Sequence, residues 1–385
     1  MNFLAANRSW LLISWVPSIL LFLSTALAEA HTQSTSYLTL HANAGEVTGE
    51  WHLALRDLED AIGLDANDDG MITWSELRGR KDAVSAYALS RLQIRGDGPP
   101  GVLHLDDYLV ADHSDGAYVV LRFAVAGLGH SSKLELNYRA LFDLDPKHRG
   151  LLRLEENGLT RVSVFSPEHP EQIFDLAQPA SRSPFVAFLS EGVWHIWSGY
   201  DHILFLLALL LPGVLLRREG RWQPVPAARP ALVNVLKIVT AFTLAHSITL
   251  SLSALGYVHL PTRLVESAIA ASVVVAAFNN LAPFFAERGW IVAFGFGLLH
   301  GFGFANALRD LGLRTGELAA TLFGFNLGVE LGQLAIVAVF FPLALCWRHL
   351  GFYQRFVLRL GSAAIMVVAS TWMAERMFDF KWLPF

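Results

Sequence analysis

Apolar and polar positions change rhythm part-way along the chain. Before about residue 180, apolar residues alternate with polar ones in short runs; beyond it they gather into long stretches with few charges. Residues 36–55 alternate with a period of two around a turn signal at Asn43–Gly45, which predicts two strands joined as a hairpin. The chain then turns helical around Asp57–Leu64, and a second helix is predicted from Trp74 to about Leu92. After the Gly/Pro loop Gly96–Gly101 come short alternating runs: Val102–Leu105, Ala117–Ala124, Lys133–Tyr138, Leu151–Leu154 and Thr160–Phe165. Turn signals such as Ser114-Asp115-Gly116 and Glu156-Asn157-Gly158 separate them. Strands at this spacing predict a β-sandwich-like domain with a helical insert.

The later stretches have a different length scale. A helix needs about 20 apolar residues to cross a bilayer. Val233–Gly256, Leu264–Ala286, Ile291–Leu308, Leu318–Trp347 and Phe356–Met373 are read as spans, with a further one from Tyr200 to Leu216, making six. Phe185–Ser198 is amphipathic and is expected at the membrane interface. At the N-terminus, Arg8, the apolar run Trp10–Ala26 and the small-residue site Ala28-Glu29-Ala30 predict a cleaved export signal over residues 1–30. Cleavage there leaves His31 as the mature N-terminus, whose amine and ring are a candidate chelator of copper or nickel.

Export places residues 31–180 outside the cytoplasm. The loops then expected inside carry Arg217, Arg218, Arg221, Arg288, Arg348 and Arg355, and those outside carry fewer cations, as the positive-inside rule requires. The expected fold is an α-helical polytopic membrane bundle of about six spans, residues 183–380, fused to an extracytoplasmic domain, residues 31–180. The expected location is the inner (plasma) membrane, multi-pass, with the N-terminal domain periplasmic. Composition agrees: 53% of the 385 residues are hydrophobic and 16% are charged, against about 25% charged in soluble proteins. A net charge of −5 without a dense Lys/Arg cluster argues against nucleic acid as a partner. The lone Cys346 excludes an intramolecular disulfide.

Two groups of residues carry candidate chemistry. Residues 65–76 match a twelve-residue EF-hand calcium loop: Asp65, Asn67 and Asp69 supply side-chain oxygens, Gly70 the turn, Met71 a backbone carbonyl, Thr73 the ninth position and Glu76 a bidentate carboxylate. The same residues also read as an acidic turn capping the following helix, with Thr73 as cap and Glu76 three residues on. The second group is polar residues inside the spans, which are costly unless they face the bundle interior. They are His195, Asp201 and His202 at the head of the first span, His246 in the second, Glu266, Asn279 and Asn280 in the third, His300 and Asn306 in the fourth, and Asn326, Glu330 and Gln333 in the fifth. His195, Asp201, His202, His246, His300 and Glu330 are the candidate metal residues; the others are secondary polar positions or packing partners.

Spacing refines this picture. Asn326, Glu330 and Gln333 fall on one helical stripe, and Gly324, Gly328 and Gly332 form a small-residue stripe opposite, suited to close helix contact. His195 and His202 share a face of an unbroken helix but lie about 10.5 Å apart along it, so they can meet only if Ser198-Gly199 breaks the helix.

The segment EGVWHIWSGYDHILF with His195-x5-Asp201-His202, Leu299-His300-Gly301, and Phe325-Asn326-x-Gly328-x-Glu330 resemble the HupE/UreJ family of membrane proteins over roughly residues 183–375. The chain looks like a longer branch with an exported N-terminal domain. The family is associated with nickel, and sometimes cobalt, uptake for hydrogenase and urease. The resemblance therefore implies that His195, Asp201, His202, His300 and Glu330 belong to a metal path. The leading expectation is a transporter or accessory permease for a divalent transition metal such as Ni2+ or Co2+, with a Ca2+-binding outer domain. Two alternatives stand beside it: an intramembrane metal-dependent hydrolase, and a non-catalytic membrane-anchored binding or assembly protein.

Overall fold

A computed structural model describes residues 34–378, apart from 44, 114, 130, 157, 177–183, 220, 286–288 and the side chains of 306 and 307. The expected export signal, its cleavage site, His31 and the Asn306 side chain lie outside the described residues.

The alternating runs do form strands. Thr35–Asn43 (β1) pairs antiparallel with Glu46–Ala54 (β2), with Tyr37 opposite His52. Leu55–Ile62 (α1) follows. The helix expected over 74–92 is instead two, Trp74–Gly79 (α2) and Lys81–Arg91 (α3), because Arg80 between them sits at φ −100°, ψ 10°. Then come Leu92–Arg95 (β3), Val102–His113 (β4), Gly116–Ala126 (β5), Lys133–Tyr138 (β6), Arg149–Glu156 (β7), Leu159–Phe165 (β8) and Glu171–Asp175 (β9). A mixed six-stranded sheet runs β4-β5-β2-β1-β7-β8, and a smaller one runs β3-β6-β9. The β1–β7 pairing is parallel, which no hairpin signal foretells.

The two sheets share one core. Leu38, Leu40, Trp51, Phe123 and Leu152 from the larger sheet meet Ile94, Leu136 and Tyr138 from the smaller, and α1–α3 add Leu58, Leu77 and Val84. The other face of the larger sheet is also covered. Tyr37, Leu151, Val162 and Val164 pack against Phe188, Leu250, Leu308 and Leu322 of the second half. This double burial leaves the first four residues of both β1 and β7 buried, whichever face they point to.

The second half contains Pro184–Ser198 (α4), Tyr200–Leu210 (α5), a hairpin of Leu215–Arg218 (β10) with Arg221–Pro224 (β11), Ala228–Ala254 (α6), Thr262–Leu281 (α7), Gly289–His300 (α8), Ala305–Asp310 (α9) and Thr315–Trp347 (α10). A π-helical turn, Tyr353–Val357, leads into Leu358–Phe378 (α11). Among the described residues, α6, α7, α10 and Tyr353–Phe378 are long and apolar enough to cross a membrane. Together α4 and α5 make a fifth such segment, bent by 70°.

Among the described residues, six continuous spans are therefore not found. The expected span 200–216 stops at Leu210, since Pro212 and the hairpin follow. The expected span 291–308 is interrupted: α8 ends at His300, the chain turns through Gly301–Phe304, and α9 begins at Ala305. Glycines at 301 and 303 weaken the helix there. In the bundle α4 lies along α10, α8 along α6, and α7 along α11.

Candidate metal centre

The two interrupted segments bring the histidines together. Gly199 N–H bonds the His195 carbonyl at 3.0 Å as α4 ends, and α5 starts in a new direction. A Cβ at Gly199 would lie 2.8 Å from both the His195 oxygen and His202 Nδ1, so only glycine fits the corner. The bend brings the His195 and His202 rings to 4.6 Å between centroids. His246, from the middle of α6, completes a group: ring nitrogens of His195, His202 and His246 lie within 4.8 Å of one another. The His300 ring, at the end of α8, is 5.0 Å from that of His202.

Neighbouring groups decide which nitrogen of each ring is free. Asn326 donates its Nδ2 to the Leu322 carbonyl, which turns its Oδ1 towards His246 Nδ1 at 3.2 Å. His246 therefore donates from Nδ1, and its Nε2 is bare. Asp201 Oδ1 accepts from His202 Nδ1 at 3.0 Å, leaving His202 Nε2 bare in the same way. Ser272 has one hydroxyl proton and gives it to the Ile269 carbonyl at 2.6 Å, so at 2.9 Å its oxygen accepts from His300 Nε2. His300 then presents a bare Nδ1. Nε2 of His195, His202 and His246 and Nδ1 of His300 are all buried with no hydrogen-bond partner among the described residues. Leaving such atoms unpaired costs roughly 1–3 kcal/mol each. Metal-binding histidines are commonly held by such partners on the nitrogen that faces away from the ion.

The donor set fits a borderline transition-metal ion. Three nitrogens on one ion at ~2.1 Å bonds stand about 3.4–3.6 Å apart, so the three rings, whose nitrogens lie within 4.8 Å of one another, close on a shared ion by side-chain adjustments of about an ångström. Neutral imidazoles suit nickel, cobalt, zinc or copper(II), and the chain's one thiol, Cys346, is exposed on α10 away from the group.

The other sequence-derived residues occupy separate places. Glu330 and Gln333 line the α6–α10 seam, where Thr240 donates to Glu330 Oε1 at 2.7 Å and Thr243 to Gln333 at 2.9 Å. Glu330 Oε2 is buried without a partner among the described residues. Asn280 bonds the Ala208 carbonyl and Ser362, while Asn279 accepts from Phe284 and Phe285 N–H beyond the end of α7. Glu266 faces Arg376 at 3.9 Å. Sequence reasoning overlooked Ser272, Thr240 and Thr243, since a hydroxyl in an apolar helix gives no signal until its partner is known.

In the outer domain, residues 65–73 form the loop between α1 and α2. Asp65 accepts from Asn67 and Gly70 N–H, Asn67 from Asp69 N–H, and Asp69 from Met71 N–H. Thr73 and Glu76 form a capping box on α2, and the Thr73 N–H and hydroxyl hold the Glu76 carboxyl below its usual range. Glu76 Oε1 also reaches back to the Ala66 N–H at 3.1 Å, drawing the two ends of the loop together.

A family model described as HupE / UreJ protein matches residues 171–376, more than half of the chain. No curated protein matches it.

Proposed function

The chain belongs to the HupE/UreJ family, and on that premise we propose that it carries a divalent transition-metal ion, of the nickel or cobalt type, across the inner membrane. The supporting observation is the convergence of three histidines from α4, α5 and α6, each with an unpartnered, buried Nε2. The ion is the cargo; Asp201 and Asn326 hold two of its imidazoles in the binding tautomer. Glu330 and His300 are further points on the same path.

Purified protein in vesicles should move Ni2+ or Co2+, and His202→Ala should abolish that flux. Absence of flux with every divalent transition metal tried removes the transport reading. An intramembrane hydrolase needs a carboxylate free to take a proton from metal-bound water. Asp201 is bonded to His202, and Glu330, whose Oε2 has no partner among the described residues, lies outside the three-histidine group, which disfavours that alternative.

The outer domain is proposed to face the periplasm and to bind one Ca2+ in the loop 65–76, in the weak range of ~0.1–1 mM typical of extracellular modules. The local fold supports this: the loop joins two helices, and its carboxylates are gathered by its own N–H groups. Millimolar Ca2+ should raise the thermal unfolding temperature of the protein, and Glu76→Gln should remove that increment. An unchanged midpoint with Ca2+ would leave the capping role alone.

A further inference from the structure

The order of segments in the bundle repeats. An interrupted segment, α4–α5, is followed by α6 and α7; a second interrupted segment, α8–α9, is followed by α10 and α11. The packing crosses between the two sets, with α4 on α10, α8 on α6, and α7 on α11. A two-fold operation exchanging the sets turns the first of these contacts into the second and maps the third onto itself.

The correspondence extends to residues. Gly192 stands three before His195, and Gly297 three before His300. A Cβ on Gly192 would overlap the Phe325 carbonyl of α10, and one on Gly297 would overlap the Phe242 carbonyl of α6. The His195 ring lies 5.2 Å from that of Phe325, and the His300 ring 5.2 Å from that of Phe242.

The two interrupted segments run in opposite directions. The start of α4 lies on Gly324 near the head of α10, while α5 leads into Gly213 beside Val235, and Tyr353 bonds the Leu211 carbonyl. By contrast, α8 starts at Gly289 beside Ile238, and α9 ends at Asp310 against His113 of the outer domain. Repeats of this kind place their ion sites where broken helices meet, and here the histidines sit at both breaks.

Aromatic rings close the centre on both sides. Towards the outer domain, Phe304 and Phe325 stack at 4.5 Å between centroids, with His195 5.3 Å from Phe304. Towards the hairpin, Phe205 and Phe242 meet at 5.2 Å, and His300 lies 5.0 Å from Phe205. Beyond this inner pair is a cavity of about 720 Å³ lined by Ala208, Trp222, Ile238, Asn279 and Asn280 among others. Phe205 and Phe242 lie one turn from Ala208 and Ile238, between the cavity and the histidines. The outer pair abuts the apolar surface where the outer domain docks.

We propose that α4–α7 and α8–α11 are two repeats of inverted orientation, and that Phe304–Phe325 and Phe205–Phe242 are the outer and inner gates of the histidine centre. The gates rest on the transport reading for their purpose: exchange of conformation between the repeats opens one pair while the other stays shut.

The test uses the full-length chain carrying Cys346→Ser, with a single reporter thiol from Ser272→Cys beside His300, in sealed vesicles of either orientation. The probe is a small, charged methanethiosulfonate that does not cross membranes. With both gates intact, modification is slow from either face. Phe304→Ala with Phe325→Ala should raise the rate at least tenfold from the outer-domain face only. Phe205→Ala with Phe242→Ala should do so from the hairpin face only. Acceleration from the same face by both pairs, or by neither, overturns the gates. The conservative pairs Phe325→Leu with Phe304→Leu and Phe242→Leu with Phe205→Leu repeat the comparison where an alanine variant loses its gel-filtration peak; they should show the same sidedness at smaller size. Sided labelling of the reporter chain, with no ion flux in the chain that keeps Ser272 and all four phenylalanines, leaves the gates standing and removes the cargo. Flux without sided labelling removes the gates and leaves the cargo.

Discussion

At the scale of single residues, the chemistry is set by which imidazole nitrogen stays bare. Asp201, Asn326 and Ser272 each commit one nitrogen of a neighbouring histidine. Asp201→Ala should lower metal affinity about 10–100-fold, the usual cost of losing the group that holds a metal-binding imidazole, while Asp201→Asn, which can still accept through Oδ1, should lose less; equilibrium binding of Ni2+ or Co2+ measures both. The histidines were visible in the sequence because ionisable groups in apolar helices are rare; their tautomers were not, because the partners come from other elements. The outer domain offers a separate residue-scale test. His148 is fully buried against Ser34, Ser36 and Tyr138, and burial pushes its ring down to about 3 from 6.5. Below pH 6.5 the unfolded chain takes up a proton that the folded state refuses, so stability should fall with pH until about 3. This group contributes up to ~1.4 kcal/mol per pH unit. Thermal unfolding across that window should show the slope, and His148→Gln should flatten it.

At the scale of elements, glycine determines how closely helices approach. The expected stripe on α10 is used: a Cβ on Gly324 would overlap the Phe185 carbonyl, and one on Gly328 the Leu189 carbonyl, both on α4. Gly328→Leu should cost about 1–3 kcal/mol or more from overpacking and lower the unfolding midpoint. Gly316→Ala, with nothing within 4 Å of the new methyl, should be neutral or stabilise by ~0.5–1 kcal/mol. One element that sequence reading mistook was the stretch 291–308. Its hydropathy is continuous, but Gly301 packs on α6 and the chain turns after His300. Composition measures apolarity and is blind to a break whose N–H groups turn back on the preceding helix, as those of Gly301, Phe302 and Gly303 do.

At the scale of the whole molecule, the outer domain is seated on the bundle rather than tethered beside it. Apolar burial between the larger sheet and α4, α6, α9 and α10 is joined by His113–Asp310 at 2.9 Å, Arg149–Glu191 at 3.5 Å and Lys147 over the Tyr200 ring at 4.1 Å. His113 also meets His52 Nδ1 at 2.9 Å, and burial together with that second imidazole keeps the His52 ring below its usual value. With the His113 and Asp310 side chains only 11% and 12% exposed, a double-mutant cycle on His113→Ala and Asp310→Ala should give a coupling of about 0.5–3 kcal/mol in thermal unfolding. The single variants should also expose residues 305–312 to protease. None of these contacts carries a sequence signal, because each joins residues tens of positions or more apart whose types are ordinary at a surface.

Local pattern alone determined that this chain has a strand-rich half and a half of long apolar helices, that an acidic loop lies between two helices of the first, and that costly histidines lie in the second. Those properties reside in periodicity, hydropathy and spacing, which are written within a few turns of chain. Only the folded arrangement decided that two would-be spans break, that α4 and α5 turn by 70° to face His195 towards His202, and that α6 supplies His246 at the same point. Convergence is a long-range event: it depends on glycine-mediated contacts between helices distant in sequence, and no single segment contains that information.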